Sequence, residues 1–257
     1  MVDQLVIADD VNVPDASQLI TEDDTPVDNF PSEKQQRLLT SCLYSNLKDQ
    51  QFIAAANVGI YHTAKVPAIV PDVFVSFNVE VPEDWWEKQN RCYLVWNFGK
   101  PPEIAIEIVS NKVGKELTEK FTIYEQMRVS YYALYDPSKQ LGKKILRLYE
   151  LRGTHYVEMD QPWLEQVQLG LTVWQGEFEG RVDSWLRWQG ADGALLLTGD
   201  EQAEAARQQS ETERQRAETE RQRAEQAQQR AAQEQQRADR LADFLRSQGI
   251  DPDQLPE

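Results

Sequence analysis

Two carboxylates and an amine stand where the surrounding residues call for apolar side chains. Residues 103–109 read EIAIEIV; four of the seven are Ile or Val, and Glu107 sits near the end of the run. Upstream, residues 69–77 read IVPDVFVSF and carry Asp72 in a similar setting. An ionised carboxylate in a buried strand is costly unless a cation or hydrogen-bond donors compensate it. Lys120 follows thirteen residues after Glu107. Two carboxylates and an ammonium are the parts of a magnesium-dependent site for phosphodiester cleavage. Mg2+ prefers oxygen ligands, keeps several waters, and needs only one or two carboxylates beside a substrate phosphate. Such an ion neutralises Asp72 and Glu107, lowers the pKa of a bound water and stabilises charge developing on phosphorus. A lysine beside the water and the scissile phosphate orients the nucleophile and stabilises charge.

Each residue also has a plainer role open to it. Asp72 could cap a turn after Pro71, and Glu107 could be a buried acid paired with a lysine. Glu116 and Lys120 are four apart with Glu first, the favourable order for a helical ion pair. Tyr124, one turn beyond Lys120, could support the lysine or pack in the core. Lys112 and Lys115 could meet a phosphate backbone or remain solvated.

The elements that would position these groups follow from periodicity. The first thirty residues are acidic and contain Pro14 and Pro26, so they read as extended or poorly ordered. Ser32 and Gln35 form an S-x-x-Q capping box ahead of Leu38, Leu39, Cys42, Leu43 and Leu47 at helical spacing. Residues 52–63 hold one or two strands, and 69–77 another, with Pro71 marking a strand edge or start. Residues 78–101 read as a long aromatic excursion. EIAIEIV is near-continuously apolar and predicts a central strand. Residues 113–129 form an amphipathic helix through Leu117, Phe121, Tyr124 and Met127, and SYYALYDP then returns as a strand. Strand, helix, strand predicts a crossover unit. Residues 143–153 and 154–159 read as a hairpin turning at Arg152–Gly153. Residues 163–189 read as short strands and turns, with their Trp residues in core and edge packing.

Composition changes near Thr198. Between Gly199 and Gly249 there is neither Pro nor Gly, and ETERQRA occurs twice in succession, at 211–217 and 218–224. Ala217, Ala224, Ala231, Ala238 and Leu245 recur every seven residues, the coiled-coil period. Glu220 and Glu234 interrupt the seam, so residues 198–248 predict a long polar helix that either stands alone on Glu–Arg pairs or forms a weak dimer stalk.

The chain of 257 residues has a formal net charge of −16. That argues against broad attraction to nucleic acid or an anionic membrane, but leaves room for a local basic site. Cys42 and Cys92 are far apart, and no Cys/His cluster supports a zinc site or a disulfide framework. No signal peptide or membrane-length apolar run is present, which makes a cytoplasmic protein the default. There is no phosphate-binding glycine loop. Neither His62 nor His155 lies near a nucleophile elbow, and His155 reads as a surface strand residue.

The pattern Pro71-Asp72, then PPEIAIEIVSN, then KELTEKFTIYEQMRVSYYALYDP resembles the Uma-type family of restriction-endonuclease-like proteins, within the PD-(D/E)XK superfamily. The resemblance covers roughly residues 30–190. It implies an α/β (mixed α+β) fold with a central mixed sheet flanked by helices, and a Mg2+-dependent endonuclease in which Mn2+ substitutes. It implies Asp72 and Glu107 as metal ligands, the Ile108 carbonyl as a third ligand, and Lys120 as the catalytic lysine. Ser110, Glu116 and Tyr124 match supporting positions. The superfamily's usual lysine lies two residues after the acid, where this chain has Val109; the family moves it to the helix. Relatives carry a His near Gln35, where neighbouring Glu33 could instead supply a carboxylate beside the metal. The implied partner is nucleic acid, DNA foremost; the C-terminal helix, outside the resemblance, makes a second copy of the chain the other expected partner. The competing expectation is an inactive nuclease-like core whose C-terminal helix recruits a partner.

Overall fold

The computed structural model describes residues 29–110 and 117–249. The described residues fall into two compact units, divided after Gly199.

In the first unit, the opening helix α1 (Phe30–Asn46) is capped by Asn29, whose side chain accepts a bond from the Ser32 N–H. The cap therefore lies three residues before the expected Ser32, because Pro31 fits the first helical turn, where no N–H is required. Ser32 and Gln35 are consequently inside the helix and buried. Leu38, Leu39, Cys42 and Leu43 form its buried stripe.

The main sheet has six strands in the order β1-β3-β5-β6-β7-β8. These are β1 (Phe52–Ala56), β3 (Val73–Phe77), β5 (Ile104–Ile108), β6 (Tyr131–Tyr135), β7 (Leu146–Arg152) and β8 (His155–Glu158). Only β5 and β6 pair in parallel; every other neighbour is antiparallel. The parallel pair is joined across helix α3 (Glu119–Met127), as the strand–helix–strand order predicts, but the helix is shorter than the expected 113–129: Leu117 and Thr118 form a turn ahead of it, and residues 113–116 lie outside the described residues. Pro71 precedes β3 and so costs the ladder nothing, which leaves β3 free to lie inside the sheet. The β7–β8 hairpin turns through Gly153, whose φ of 64° suits glycine.

Ile104, Ile106 and Ile108 alternate with Ala105, Glu107 and Val109, so β5 feeds two cores. The isoleucines pack with α1 and the Trp residues of a second, three-stranded sheet. That sheet has β9 (Trp163–Leu164), β10 (Leu169–Phe178) and β11 (Arg181–Gln189) in the order β11-β10-β9. Its two long strands correct the expectation of short strands here. Glu179 and Gly180, both at positive φ, form a two-residue turn of the kind that matches strand twist and lets a hairpin extend. Trp185 and Trp188 are core residues. Ala105 and Val109 face the other core with Tyr124 and Met127 of α3. The excursion before β5 holds β4 (Tyr93–Leu94), paired in parallel with β2 (Ile60–Tyr61), and the short helix α2 (Val95–Phe98).

In the second unit, helix α4 (Gly199–Ser247) runs 49 residues with none buried. Gly249, at positive φ, follows its end. Among the described residues, no helix is long and apolar enough to cross a membrane.

Candidate active site

The strand register brings the two acids together. Val73 of β3 pairs with Ile106 of β5 in antiparallel register. One step further along the same register sets Asp72 opposite Glu107. The Asp72 carboxylate accepts a 2.6 Å bond from the Ile108 N–H and a 2.9 Å bond from Nε2 of Gln36 on α1. Asp72 thus joins the start of β3, the end of β5 and the first helix.

Glu107 points to the α3 side of the sheet and is 1% exposed. Lys120 and Tyr124 are four residues apart, hence on one face of α3, and both reach it. Lys120 Nζ lies 2.7 Å from one Glu107 oxygen, and Tyr124 donates its hydroxyl to the other at 2.7 Å. Burial nevertheless pushes the Glu107 carboxyl up to about 8, with nearby Asp72 adding to the rise and Lys120 and Tyr124 opposing it. The same burial, with Glu107 beside it, holds the Tyr124 hydroxyl well above its ordinary range. Lys120 is 31% exposed, so its amine spans the buried acid and solvent. Val109, two residues after Glu107, is buried in the apolar core.

The other sequence-selected residues fall elsewhere. Glu33 is bound to Arg37 one turn along the exposed face of α1. Gln35 is locked to β11, its amide donating to the Leu186 carbonyl and accepting from the Leu186 N–H. Ser110 is exposed just past β5. Glu116, Lys112 and Lys115 lie outside the described residues. Gln36 and Asn57 belong to the site and were not singled out from the sequence. The Asn57 side-chain amide donates to Gln36 Oε1 at 3.0 Å, which orients Gln36 so that its own amide faces Asp72. The only sequence signal for Gln36 was the family's histidine near Gln35, one residue away.

Among the described residues, no group of three or more His, Cys, Asp or Glu side chains gathers as a metal centre. A divalent ion here would rest on two carboxylates, backbone oxygen and water. That donor set is all hard oxygen, so it fits Mg2+ or Mn2+ and is wrong for zinc. Glu107 is buried and Asp72 partly so, and Lys120 offsets only part of the burial cost of Glu107.

A cleft of about 230 Å3 lies on the α1 side of the sheet, with Ile108, Tyr135 and Trp185 among its walls and Phe30, Lys34 and Arg181 among its other lining residues.

Fold and site together define a restriction-endonuclease-like domain: a mixed sheet whose one parallel pair is bridged by a helix, with acids from two adjacent strands at one end and a lysine from that helix. The chain belongs to the Uma2 family, described as "Putative restriction endonuclease", whose model matches residues 20–177. A solved structure similar to this chain is that of a "putative nuclease belonging to DUF820" from Anabaena variabilis. It is 16% identical, covers 54% of this chain and 72% of its own, and has a TM-score of 0.38. No curated protein matches the chain.

Proposed function

We propose that this protein is a metal-dependent endonuclease that hydrolyses nucleic-acid phosphodiester bonds, DNA foremost, in the cytoplasm. The observation that carries the reading is the convergence of Asp72, Glu107 and Lys120 at one end of the sheet. Asp72 and Glu107 would hold Mg2+, with the Ile108 carbonyl as third ligand and Mn2+ as a substitute. When bound, the ion supplies a water of lowered pKa and positive charge for the developing phosphorane. Gln36 and the Ile108 N–H fix the Asp72 carboxylate. Tyr124 fixes one oxygen of Glu107. Lys120 sits at the boundary between Glu107 and solvent, where its ammonium positions the attacking water and the phosphate and offsets charge on the latter. Family membership supports this reading. The test is cleavage of varied DNA and RNA by purified protein with Mg2+ or Mn2+. Cleavage that Asp72→Ala abolishes is expected; no cleavage under any of these conditions overturns the proposal.

Two observations favour a second reading, an interaction protein built on an inactive core. The net charge of −16 repels a polyanion, and α4 has no buried residue. Calorimetric titration separates the two: no divalent-ion binding supports the second reading.

A further inference from the structure

We infer that the loop between β6 and β7 (residues 136–145), with Arg147 behind it, grips the sugar-phosphate backbone of a nucleic acid entering the site. This rests on the nuclease reading above and adds the surface that holds the substrate.

Topology places the loop. β5 and β6 run parallel, so the chain leaving β6 emerges at the end of the sheet where Glu107 lies. Glu107 pairs with Leu134, and Leu134 with Arg147. The arginine is therefore in the same row and on the same face as Glu107, two strand spacings or about 10 Å away. Three contacts hold the loop on the Lys120 side. Asp136, fully buried, accepts from the N–H groups of Gln140 and Leu141 at 2.8 and 2.7 Å. Arg147 Nη2 donates to the Leu141 carbonyl at 3.0 Å. The Leu141 side chain packs on the cluster that contains Val109 and Tyr124.

Charge selects the partner. Residues 137–149 carry Lys139, Lys143, Lys144 and Arg147 and no acid, whereas residues 1–28 carry eight acids and no base. The net −16 of the chain thus conceals a basic surface at the site's end of the sheet. The three lysines are exposed. Lys144 pairs with Glu158 at the surface, a contact weak enough to yield to phosphate. Arg147 supplies the observation that calls for an anion: among the described residues its Nη1 is enclosed with no hydrogen-bond partner. An enclosed donor without an acceptor is costly. Exchange of the Leu141 bond for a phosphate gives the guanidinium two oxygens in its fork. Asp136 fixes the loop backbone beforehand, so less ordering is required on binding.

The test follows binding of a fluorescein-labelled DNA duplex by anisotropy across salt concentrations. It uses the full-length protein with Ca2+, which fills hard-oxygen sites. Lys139→Gln, Lys143→Gln and Lys144→Gln together should flatten the slope of log affinity against log salt by about 2–3 and weaken binding at least tenfold. Their Tm should match wild type, since all three side chains are exposed. Lys48→Gln should change neither slope nor affinity. Lys48 precedes β1, whose start pairs with the end of β3, at the opposite end of the sheet from Asp72. Arg147→Lys keeps the charge and loses the fork; it should weaken binding about tenfold, as for loss of one charged hydrogen bond, with the slope nearly unchanged. A triple variant with the wild-type slope, a Lys48→Gln loss as large per charge, an Arg147→Lys variant that binds as wild type, or no nucleic-acid binding overturns the inference. Parallel incubation with Mg2+ separates it from the nuclease reading. Loop-dependent binding without cleavage keeps the surface and removes the nuclease. Cleavage with a salt slope indifferent to the loop does the reverse.

Discussion

Lys120 reaches back from α3 to within 2.7 Å of Glu107, across a separation of thirteen residues. In the proposed mechanism Lys120 takes the place of the lysine that Val109 does not supply, from a helix position one turn before Tyr124. Lys120→Ala should lower the cleavage rate at least 100-fold, the order expected for loss of one positioned catalytic charge. It also leaves Glu107 buried without its ammonium, which should cost about 1–3 kcal/mol of stability. Steady-state cleavage and calorimetric unfolding read the two effects separately. A variant that cleaves normally removes Lys120 from the chemistry.

Glu107→Gln separates function from stability in the opposite direction. Burial raises the folded-state pKa of Glu107 from the usual 4.5 to about 8. Between these values the folded protein binds the proton more tightly than the unfolded chain does. Stability therefore falls as pH rises through this window and levels off above it. Glutamine keeps the shape and carries no ionisable proton. Glu107→Gln should abolish metal binding and cleavage, yet raise Tm by a few degrees at pH 8–9. At pH 4–5 the gain should vanish. Scanning calorimetry across pH, without divalent ions, checks this; a lower Tm at pH 9 would falsify it.

Gln36 tests the support behind Asp72. Removing an outer partner of a metal ligand lowers affinity by about 10–100-fold. Gln36→Ala should weaken Mg2+ binding by about tenfold and lower Tm as well, because Gln36 is itself buried and bonded to Asp72 and Asn57. Gln35→Ala should lower Tm and leave Mg2+ affinity unchanged, because Gln35 holds the backbone of β11 through two buried bonds. Titration calorimetry on the pair distinguishes them, and equal effects on metal affinity would refute the assignment.

This pair also shows what the sequence could and could not disclose. EIAIEIV announces a buried strand by composition, and the odd carboxylate in it announces a site. Lys120 and Tyr124 share a helix face by spacing alone. The opposition of Asp72 and Glu107 depends on strand register, which neither segment encodes by itself. Gln35 and Gln36 are adjacent amides with no periodic signal to say which meets the sheet and which meets the acid. The Asn29 cap and the long β10–β11 hairpin were likewise decided by tertiary fit, through Pro31 at the helix start and the left-handed pair Glu179–Gly180.

Glu179 fastens that hairpin to α1 by pairing with Lys34 and Arg37. Hydrogen bonds from Arg37 and Lys34 hold its carboxyl down at about 2. A lowered carboxylate pKa gives stability that is present above about 4.5 and lost as pH falls through about 2. Glu179→Gln should therefore lower Tm slightly at pH 7, and the difference from wild type should shrink toward pH 2. The pair is partly exposed, so 1 M NaCl should shrink it as well. A Tm difference that persists under both conditions would mean the contact is not electrostatic.

The last prediction concerns α4. It buries no residue, and both main cores consist of residues from the first unit. A shortened chain ending at Gly199 should keep the Tm of the full chain within a few degrees and bind Mg2+ unchanged, while losing helical circular dichroism. Self-association is a separate property of the same segment. Its repeating column holds alanine, with glutamate at 220 and 234, until Leu241, Phe244 and Leu245 form an apolar end. Charge in the seam weakens a helix pair, and the apolar end favours one. The expected result is a weak dimer in the micromolar range that becomes monomeric on truncation at 199. Leu241→Glu with Phe244→Glu should have the same effect on mass. Sedimentation equilibrium decides the matter: a full chain that is monomeric at every concentration, or a truncated chain that is still dimeric, excludes α4 as the dimer contact.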